Sequence, residues 1–171
     1  RQKKSLIYGR NLVKDVYRSL LIYGNHFSPS ATIVSKDYIA KQKILFSENK
    51  NFITAEDYDF WLKIFRSGAR CHSIRQFLGE FRLHSNNNSK NNSLHRKNIR
   101  NVIMCHIQSL DLDLEKKEKL RFDIETRLKL TNSKSLLARK DIFNFFKTLC
   151  MLFLNNPKFV SKYIILKLLI K

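Results

Sequence analysis

The stretch from residue 54 to residue 64, Thr-Ala-Glu-Asp-Tyr-Asp-Phe-Trp-Leu-Lys-Ile, places the strongest constraint on how this chain folds. Glu56, Asp57 and Asp59 fall within four positions and lead directly into aromatic and aliphatic residues. Acids in a first turn are favoured by the helix dipole, and Thr54 followed by Asp57 has the spacing of a capping box. The stretch therefore predicts the start of a helix with a buried face. A second interpretation stays open, in which this helix holds a carboxylate at the rim of a pocket, ready to accept a proton.

Basic residues dominate the charge of the chain. Its 33 Lys and Arg outnumber 14 Asp and Glu, which gives a net charge of +19. Such a charge indicates a polyanionic neighbour, either nucleic acid, an anionic lipid surface or a phosphorylated substrate. A lysine-rich compositional bias without a specific partner stays the alternative. With 171 residues, 43% of them apolar, the chain is long enough for one domain with a sizeable core and too apolar for a disordered segment.

Cysteine usage and hydropathy bear on the compartment. Cys71, Cys105 and Cys150 are odd in number, lie far apart and form no CxxC pair. This pattern argues against a disulfide framework or a zinc finger and fits a reducing compartment. The sequence shows no signal peptide and no apolar run of about 18 residues, the length that spans a bilayer. We therefore expect a cytoplasmic location, including peripheral attachment to the inner face of the cell membrane.

The first part of the chain mixes helix and strand patterns. Apolar residues recur at helical spacing over residues 3–23, and the acidic stretch predicts a helix over about 55–67. Gly68 then occupies the position of a C-terminal cap. Short apolar or alternating runs predict strands at 31–34, 71–74 and 77–83.

A polar low-complexity linker at residues 85–93 is the clearest boundary in the chain. We therefore predict two regions, residues 1–90 and residues 91–171. The second is expected to be helical throughout. Its predicted helices cover about 99–110, 114–130, 135–154 and, after Asn155-Asn156-Pro157, 158–171. The last of these mixes lysines with apolar residues, which predicts either a helix in a membrane interface or an ordinary packed terminal helix.

Two motifs at matching spacing resemble those of a known enzyme family. Glu56-Asp57-Tyr58-Asp59-Phe60-Trp61-Leu62-Lys63 is similar to the Glu-Asp-Tyr-Asp-Leu-Trp-Leu-Arg stretch typical of family 2 glycosyltransferases of the GT-A fold. Phe81-Arg82-Leu83-His84, with Ser89 after it, resembles the later Tyr-Arg-x-His motif of those enzymes. The resemblance covers about residues 20–93. It implies an α/β fold rich in helix, namely the C-terminal half of a GT-A domain with a few sheet strands, followed by a helical C-terminal region.

On the acceptor side, the resemblance assigns roles residue by residue. Asp57 matches the catalytic base that removes the proton from the acceptor hydroxyl in an inverting displacement. Glu56, Tyr58 and Trp61 would bind the acceptor. For the two aromatic side chains, packing of the helix is the alternative to lining the acceptor pocket.

On the donor side, His84 matches the histidine that binds the metal or the donor diphosphate, and Arg82 would assist the diphosphate. The implied cofactor is a divalent metal, Mg²⁺ or Mn²⁺. The family's main metal-binding DxD motif has no counterpart, however. Asp57 and Asp59 would point about 200° apart on a helix, and Asp111-Leu112-Asp113 is predicted to cap one. We therefore expect an incomplete transferase in which most of the donor site is missing.

The resemblance thus implies transfer of a sugar from a nucleotide-sugar donor to a cell-surface polysaccharide or lipid-linked glycan. The expected partners are the donor, a glycan or glycolipid acceptor and an anionic membrane surface. The alternative is a basic nucleic-acid-binding module without catalytic activity, which the dispersed lysines and the lack of a recognised motif disfavour. A third class, a purely helical membrane-surface or partner-binding protein, also stays open.

Overall fold

The computed structural model of the chain describes residues 15–74, residue 76 and residues 92–169. Within them the chain forms α-helices joined by short connections and two 3₁₀ turns, Pro29–Ala31 and Lys50–Phe52. The helices are α1 (Val16–Tyr23), α2 (Lys36–Gln42), α3 (Glu56–Arg66), α4 (Asn92–Gln108), α5 (Leu114–Ala138), α6 (Ile142–Asn155) and α7 (Pro157–Leu169). The chain divides into two compact units, Arg1–Ser109 and Leu110–Lys171.

The predicted α/β fold is wrong, because no residue in the described ranges lies in a strand. Residues 31–34 complete a 3₁₀ turn and continue as an irregular segment, in which Ile33 is 98% exposed. Residues 71–74 are irregular as well. A strand needs a neighbour for its backbone N–H and C=O groups, and the described residues offer none. The predicted strand at 77–83 and the domain boundary at residue 90 lie outside the described residues.

The central helix of the first unit is α3, which packs against α1 and α4. Seven of its 11 residues are buried. Each large apolar side chain taken out of water contributes roughly 1.5–3 kcal/mol, so this helix contributes substantially to the stability of the described part of the unit. Aromatic rings extend the core from the preceding loops: Phe27 contacts Trp61 and Phe65, and Phe46 stacks on Phe60 at a centroid distance of 4.1 Å.

The sequence predicted the C-terminal end of α3 correctly and its N-terminal cap incorrectly. Gly68 is confirmed as the cap residue, with φ +86°. Its N–H bonds the Phe65 carbonyl, and the Ala69 N–H bonds that of Ile64, which together form a Schellman motif. The prediction that Thr54 caps the first turn is wrong. Thr54 adopts a left-handed conformation one residue before the N-cap, and that N-cap, Ala55, has no side chain that bonds the first turn.

Helix α4 closes the first unit over the loop that precedes α3. The Asn98 amide donates to the Ile53 carbonyl at 2.6 Å, and α4 also packs on the Lys50–Phe52 turn. Val102, Ile103 and Ile107 are fully buried. Spaced as on one face of a helix, these residues form an apolar stripe on the core-facing side of α4.

The second unit consists of α5, α6 and α7, which pack against one another. Asp113 caps α5 by accepting from the Lys116 N–H at 2.8 Å, as the sequence predicted. Asp141 caps α6 in the same way, through the N–H of Asn144. The predicted break is confirmed, since α6 ends at Asn155 and α7 begins at Pro157. Among the helices in the described ranges, none has the length and apolar content to cross a membrane.

Candidate functional site

The carboxylate of Asp57 lies in the first turn of α3, partly exposed, at the junction with the end of α1. Its Oδ1 accepts a hydrogen bond from the Tyr58 backbone N–H at 2.7 Å. Its Oδ2 accepts from the side-chain amide of Asn25, which follows α1, at 3.4 Å. Because α1 packs against α3, the two helices hold this carboxylate in one place while part of it stays open to solvent.

Burial raises the pKa of Asp57 above its ordinary value, and the adjacent Glu56 carboxylate adds to the rise. The Tyr58 N–H and the His95 imidazole act in the opposite direction without cancelling it. A carboxylate with a raised pKa is a stronger proton acceptor than one in open solvent. The position is therefore suited to general base chemistry, as the sequence hypothesis requires.

His95 is a neighbour of this site that the sequence did not indicate. It lies in the first turns of α4, and its Nδ1 is 3.2 Å from the Thr54 hydroxyl. The two residues are 41 positions apart in sequence. The only sequence signal was a histidine directly after the polar linker, which local patterns cannot connect to the acidic stretch.

The predicted acceptor-binding residues occupy two different environments. Glu56 is exposed beside Asp57. Tyr58 and Trp61 are only 1% and 3% exposed, and the Tyr58 hydroxyl donates to the Leu20 carbonyl at 2.6 Å. The structure thus shows the packing role for both aromatic side chains. Their contact with an acceptor stays a prediction.

A second polar cluster lies behind the first, inside the core. Oδ1 of Asp59 is 3.0 Å from His106 Nε2, and Oδ2 is 2.6 Å from the Lys63 ammonium. Nδ1 of His106 lies 3.4 Å from the Tyr17 hydroxyl. Burial alone would raise the pKa of Asp59, but the hydrogen bonds from His106 and Lys63 outweigh it and hold that pKa below its ordinary value. Asp59 is therefore an anion with fixed partners and serves to join α1, α3 and α4.

The predicted metal and diphosphate ligands, Arg82 and His84, lie outside the described residues. Within the described ranges, no group of three His, Cys, Asp or Glu side chains is placed to hold a metal ion. Asp57 and Asp59 turn to different partners, as their separation on a helix predicted. The predicted Mg²⁺ or Mn²⁺ stays a prediction that depends on His84.

Fold and site together define, for the described residues, a helical protein that presents a partly buried and hydrogen-bonded carboxylate at the start of its central helix. Comparison of the chain with protein-family models, with curated proteins and with solved structures finds no match.

Proposed function

We propose that this chain supplies the general base for an inverting sugar transfer from a nucleotide-sugar donor to a glycan or glycolipid acceptor. The observation that carries the proposal is the Asp57 carboxylate, which is partly exposed, held by Asn25 and Tyr58, and raised in pKa by burial. The similarity of residues 56–63 to the acidic motif of family 2 glycosyltransferases supports the same assignment.

In the proposed reaction, an acceptor hydroxyl binds at the open side of Asp57 and gives its proton to the carboxylate as its oxygen attacks the anomeric carbon. The new glycosidic C–O bond forms while the bond from that carbon to the nucleoside diphosphate breaks, and the diphosphate leaves with the electron pair. A positioned general base contributes roughly 10²–10⁴ in rate. The raised pKa of Asp57 favours proton acceptance, and the Asn25 amide orients the carboxylate.

Neighbouring groups have supporting roles in the proposal. Glu56 is exposed beside the base, and in the proposal it accepts a hydrogen bond from a second hydroxyl of the acceptor sugar. Arg82 and His84 remain the proposed diphosphate-binding residues, with His84 as the proposed metal ligand. No step of the proposed reaction passes through that metal.

The test is an Asp57→Asn substitution in the intact transferase, with the donor-binding half present, assayed for nucleoside diphosphate release from UDP-, GDP- and dTDP-sugars with a glycolipid extract as acceptor. The amide keeps the size of the side chain and cannot take the proton. We expect release to fall at least about 100-fold, while donor binding, measured by calorimetry, stays unchanged.

A matched control is Asp37→Asn, the same chemical change at an exposed first-turn acid of α2. This variant should retain wild-type release. Wild-type release by the Asp57 variant, or an equal loss in both variants, would overturn the assignment of the base.

A further inference from the structure

The connection between α5 and α6 exposes a cluster of large apolar side chains. Leu137 lies in the last turn of α5, and Ile142, Phe143 and Phe146 lie in the first two turns of α6. Their exposed fractions are 46%, 57%, 76% and 55%. Single exposed apolar residues are normal on a protein surface, whereas a contiguous cluster marks an interaction site. Residues 134–147, which contain this cluster, are called the hairpin tip below.

The hairpin tip is also strongly basic. Lys134, Arg139, Lys140 and Lys147 are all exposed, and Asp141 is the one acid within residues 134–147. Asp141 is engaged locally, because it accepts hydrogen bonds from the backbone N–H and the side-chain amide of Asn144. The positive charge around the apolar cluster is therefore largely uncompensated.

The start of α5 differs from the hairpin tip in charge. Leu114 is 73% exposed there, and Lys116 lies 2.6 Å from Asp113. Four acids of residues 111–121 are balanced by four bases: Asp111, Asp113, Glu115 and Glu118 against Lys116, Lys117, Lys119 and Arg121. This end of α5 is therefore close to neutral, whereas the hairpin tip carries four bases and one acid.

We propose that the hairpin tip docks on an anionic lipid surface. The four apolar side chains enter the boundary between headgroups and acyl chains, and the four bases meet the lipid phosphates. Surface insertion of this kind gains from buried apolar area and from attraction to anionic lipid, about 1 kcal/mol for each Lys or Arg near the surface. This proposal is independent of the role of Asp57.

Two other binding partners, a second copy of the chain and nucleic acid, fit the hairpin tip less well than a lipid surface does. A second copy would bring an identical basic tip against this one, and like charges across an interface are unfavourable. Nucleic acid would pair with the four bases through its phosphates. It would give no role to the neighbouring cluster of Phe143, Phe146, Ile142 and Leu137.

The test is co-sedimentation of the full chain with vesicles of phosphatidylcholine alone and of phosphatidylcholine mixed with phosphatidylglycerol. We expect binding to the mixed vesicles to be at least about tenfold tighter and to weaken with salt. Phe143→Ser combined with Phe146→Ser should lower the partition coefficient into mixed vesicles at least about tenfold. Lys134→Gln combined with Arg139→Gln should lower it about tenfold or more.

Matched control variants come from the start of α5 and the residues just before it, where charge is balanced. Leu112→Ser with Leu114→Ser removes two exposed apolar side chains, and Lys116→Gln with Lys119→Gln removes two exposed bases. Both controls should bind mixed vesicles within twofold of the wild-type partition coefficient, and circular dichroism should show equal helix content in all variants. Equal losses in test and control variants would overturn the proposal.

Two further outcomes would also contradict it. Equal binding to neutral and mixed vesicles would show that the bases do not meet lipid phosphates. The other outcome is that the protein binds neither vesicle type but binds a DNA or RNA duplex, or self-associates in sedimentation velocity. The hairpin tip would then bind a different partner, and the lipid proposal would be wrong.

Discussion

Nε2 of His106 lies 3.0 Å from Oδ1 of Asp59, and both side chains are buried, at 6% and 2% exposure. The pair joins α4 to α3 across 47 positions of sequence. Its effect on stability depends on pH. Because the pKa of Asp59 is below its ordinary value, the folded state favours the ionised carboxylate. The stabilisation is complete above the unfolded pKa and is lost as pH falls through the folded pKa.

Replacement of Asp59 by Asn tests this pH dependence. At neutral pH we expect the variant to lose about 1.5–3 kcal/mol of unfolding free energy, the contribution of hydrogen bonds to a charged group. Below about pH 4, the ordinary range of an aspartate, the difference from wild type should begin to shrink. It should vanish only once pH is below the lowered pKa of Asp59, where the wild-type carboxyl of the folded protein is also neutral. Urea titration at several pH values measures this difference in unfolding free energy between the variant and the wild type.

The Asp37→Asn variant is the control, since Asp37 is exposed in the first turn of α2. Its free energy of unfolding at neutral pH should lie within about 0.5 kcal/mol of the wild-type value, the usual range for a surface substitution. A difference between wild type and the Asp59 variant that is constant across pH would contradict the assignment, because it would reflect packing and not charge.

Asp57 should show the opposite pH dependence of stability. Its pKa is raised, chiefly by burial, so the folded state binds this proton more tightly than the unfolded state does. The ionised form therefore costs stability at neutral pH. This cost shrinks as pH falls through the raised pKa and is gone below the ordinary pKa of an aspartate. We expect Asp57→Asn to unfold at neutral pH with a free energy equal to or slightly above that of wild type.

The same urea titration compares the two aspartates directly. At neutral pH, changes in unfolding free energy of opposite sign for Asp57→Asn and Asp59→Asn would support two different roles. The ionised Asp57 would lower stability, as expected of a site carboxylate, and the ionised Asp59 would raise it, as expected of a structural one. A loss of more than about 1 kcal/mol in the Asp57 variant, well outside the usual range for surface substitutions, would contradict this view.

The extent to which the sequence predicted this arrangement differs from element to element. The position of α3 followed from its acids, its apolar period and Gly68, all of which act locally. The two described segments predicted as strands failed because β-prone residues still need a pairing partner. Helix α5 extends beyond its predicted end at residue 130, and in this extension the Ser133 and Ser135 hydroxyls donate to the carbonyls of Leu130 and Asn132. Serines are common in loops and helix caps, so in sequence this stretch looked like a break between two helices.

The sequence indicated some residues of the site but not how they pair. Asp57 stood out as one of a local group of acids. His106 also carried a signal, since it occupies the apolar stripe of α4. Its pairing with Asp59, like that of His95 with Thr54, depends on tertiary packing between segments more than 40 residues apart. Local periodicity holds no information about such pairs.

Removal of the Tyr58 hydroxyl should have a measurable but limited effect. The hydroxyl donates to the Leu20 carbonyl at 2.6 Å inside the core. That carbonyl also accepts the Gly24 N–H at 2.9 Å, so it keeps one partner in the variant. We therefore expect Tyr58→Phe to lower the free energy of unfolding by about 1 kcal/mol, near the mean for one hydrogen bond. Urea denaturation measures the loss, and Tyr17→Phe, at a longer 3.4 Å contact with His106, should lose less.

Gly68 offers a test of backbone strain free of steric clashes. A Cβ added there would meet nothing within 4 Å, so Gly68→Ala should change only the cost of holding φ at +86°. That cost is about 1–2 kcal/mol for an L-residue in the left-handed region. Gly24 is the comparison, with φ 96° and ψ 179°, a region that glycine alone adopts readily. We expect Gly24→Ala to lower the thermal unfolding midpoint more than Gly68→Ala. The reverse order would show that neighbours of Gly68, and not its backbone conformation, set the cost of substitution at the end of α3.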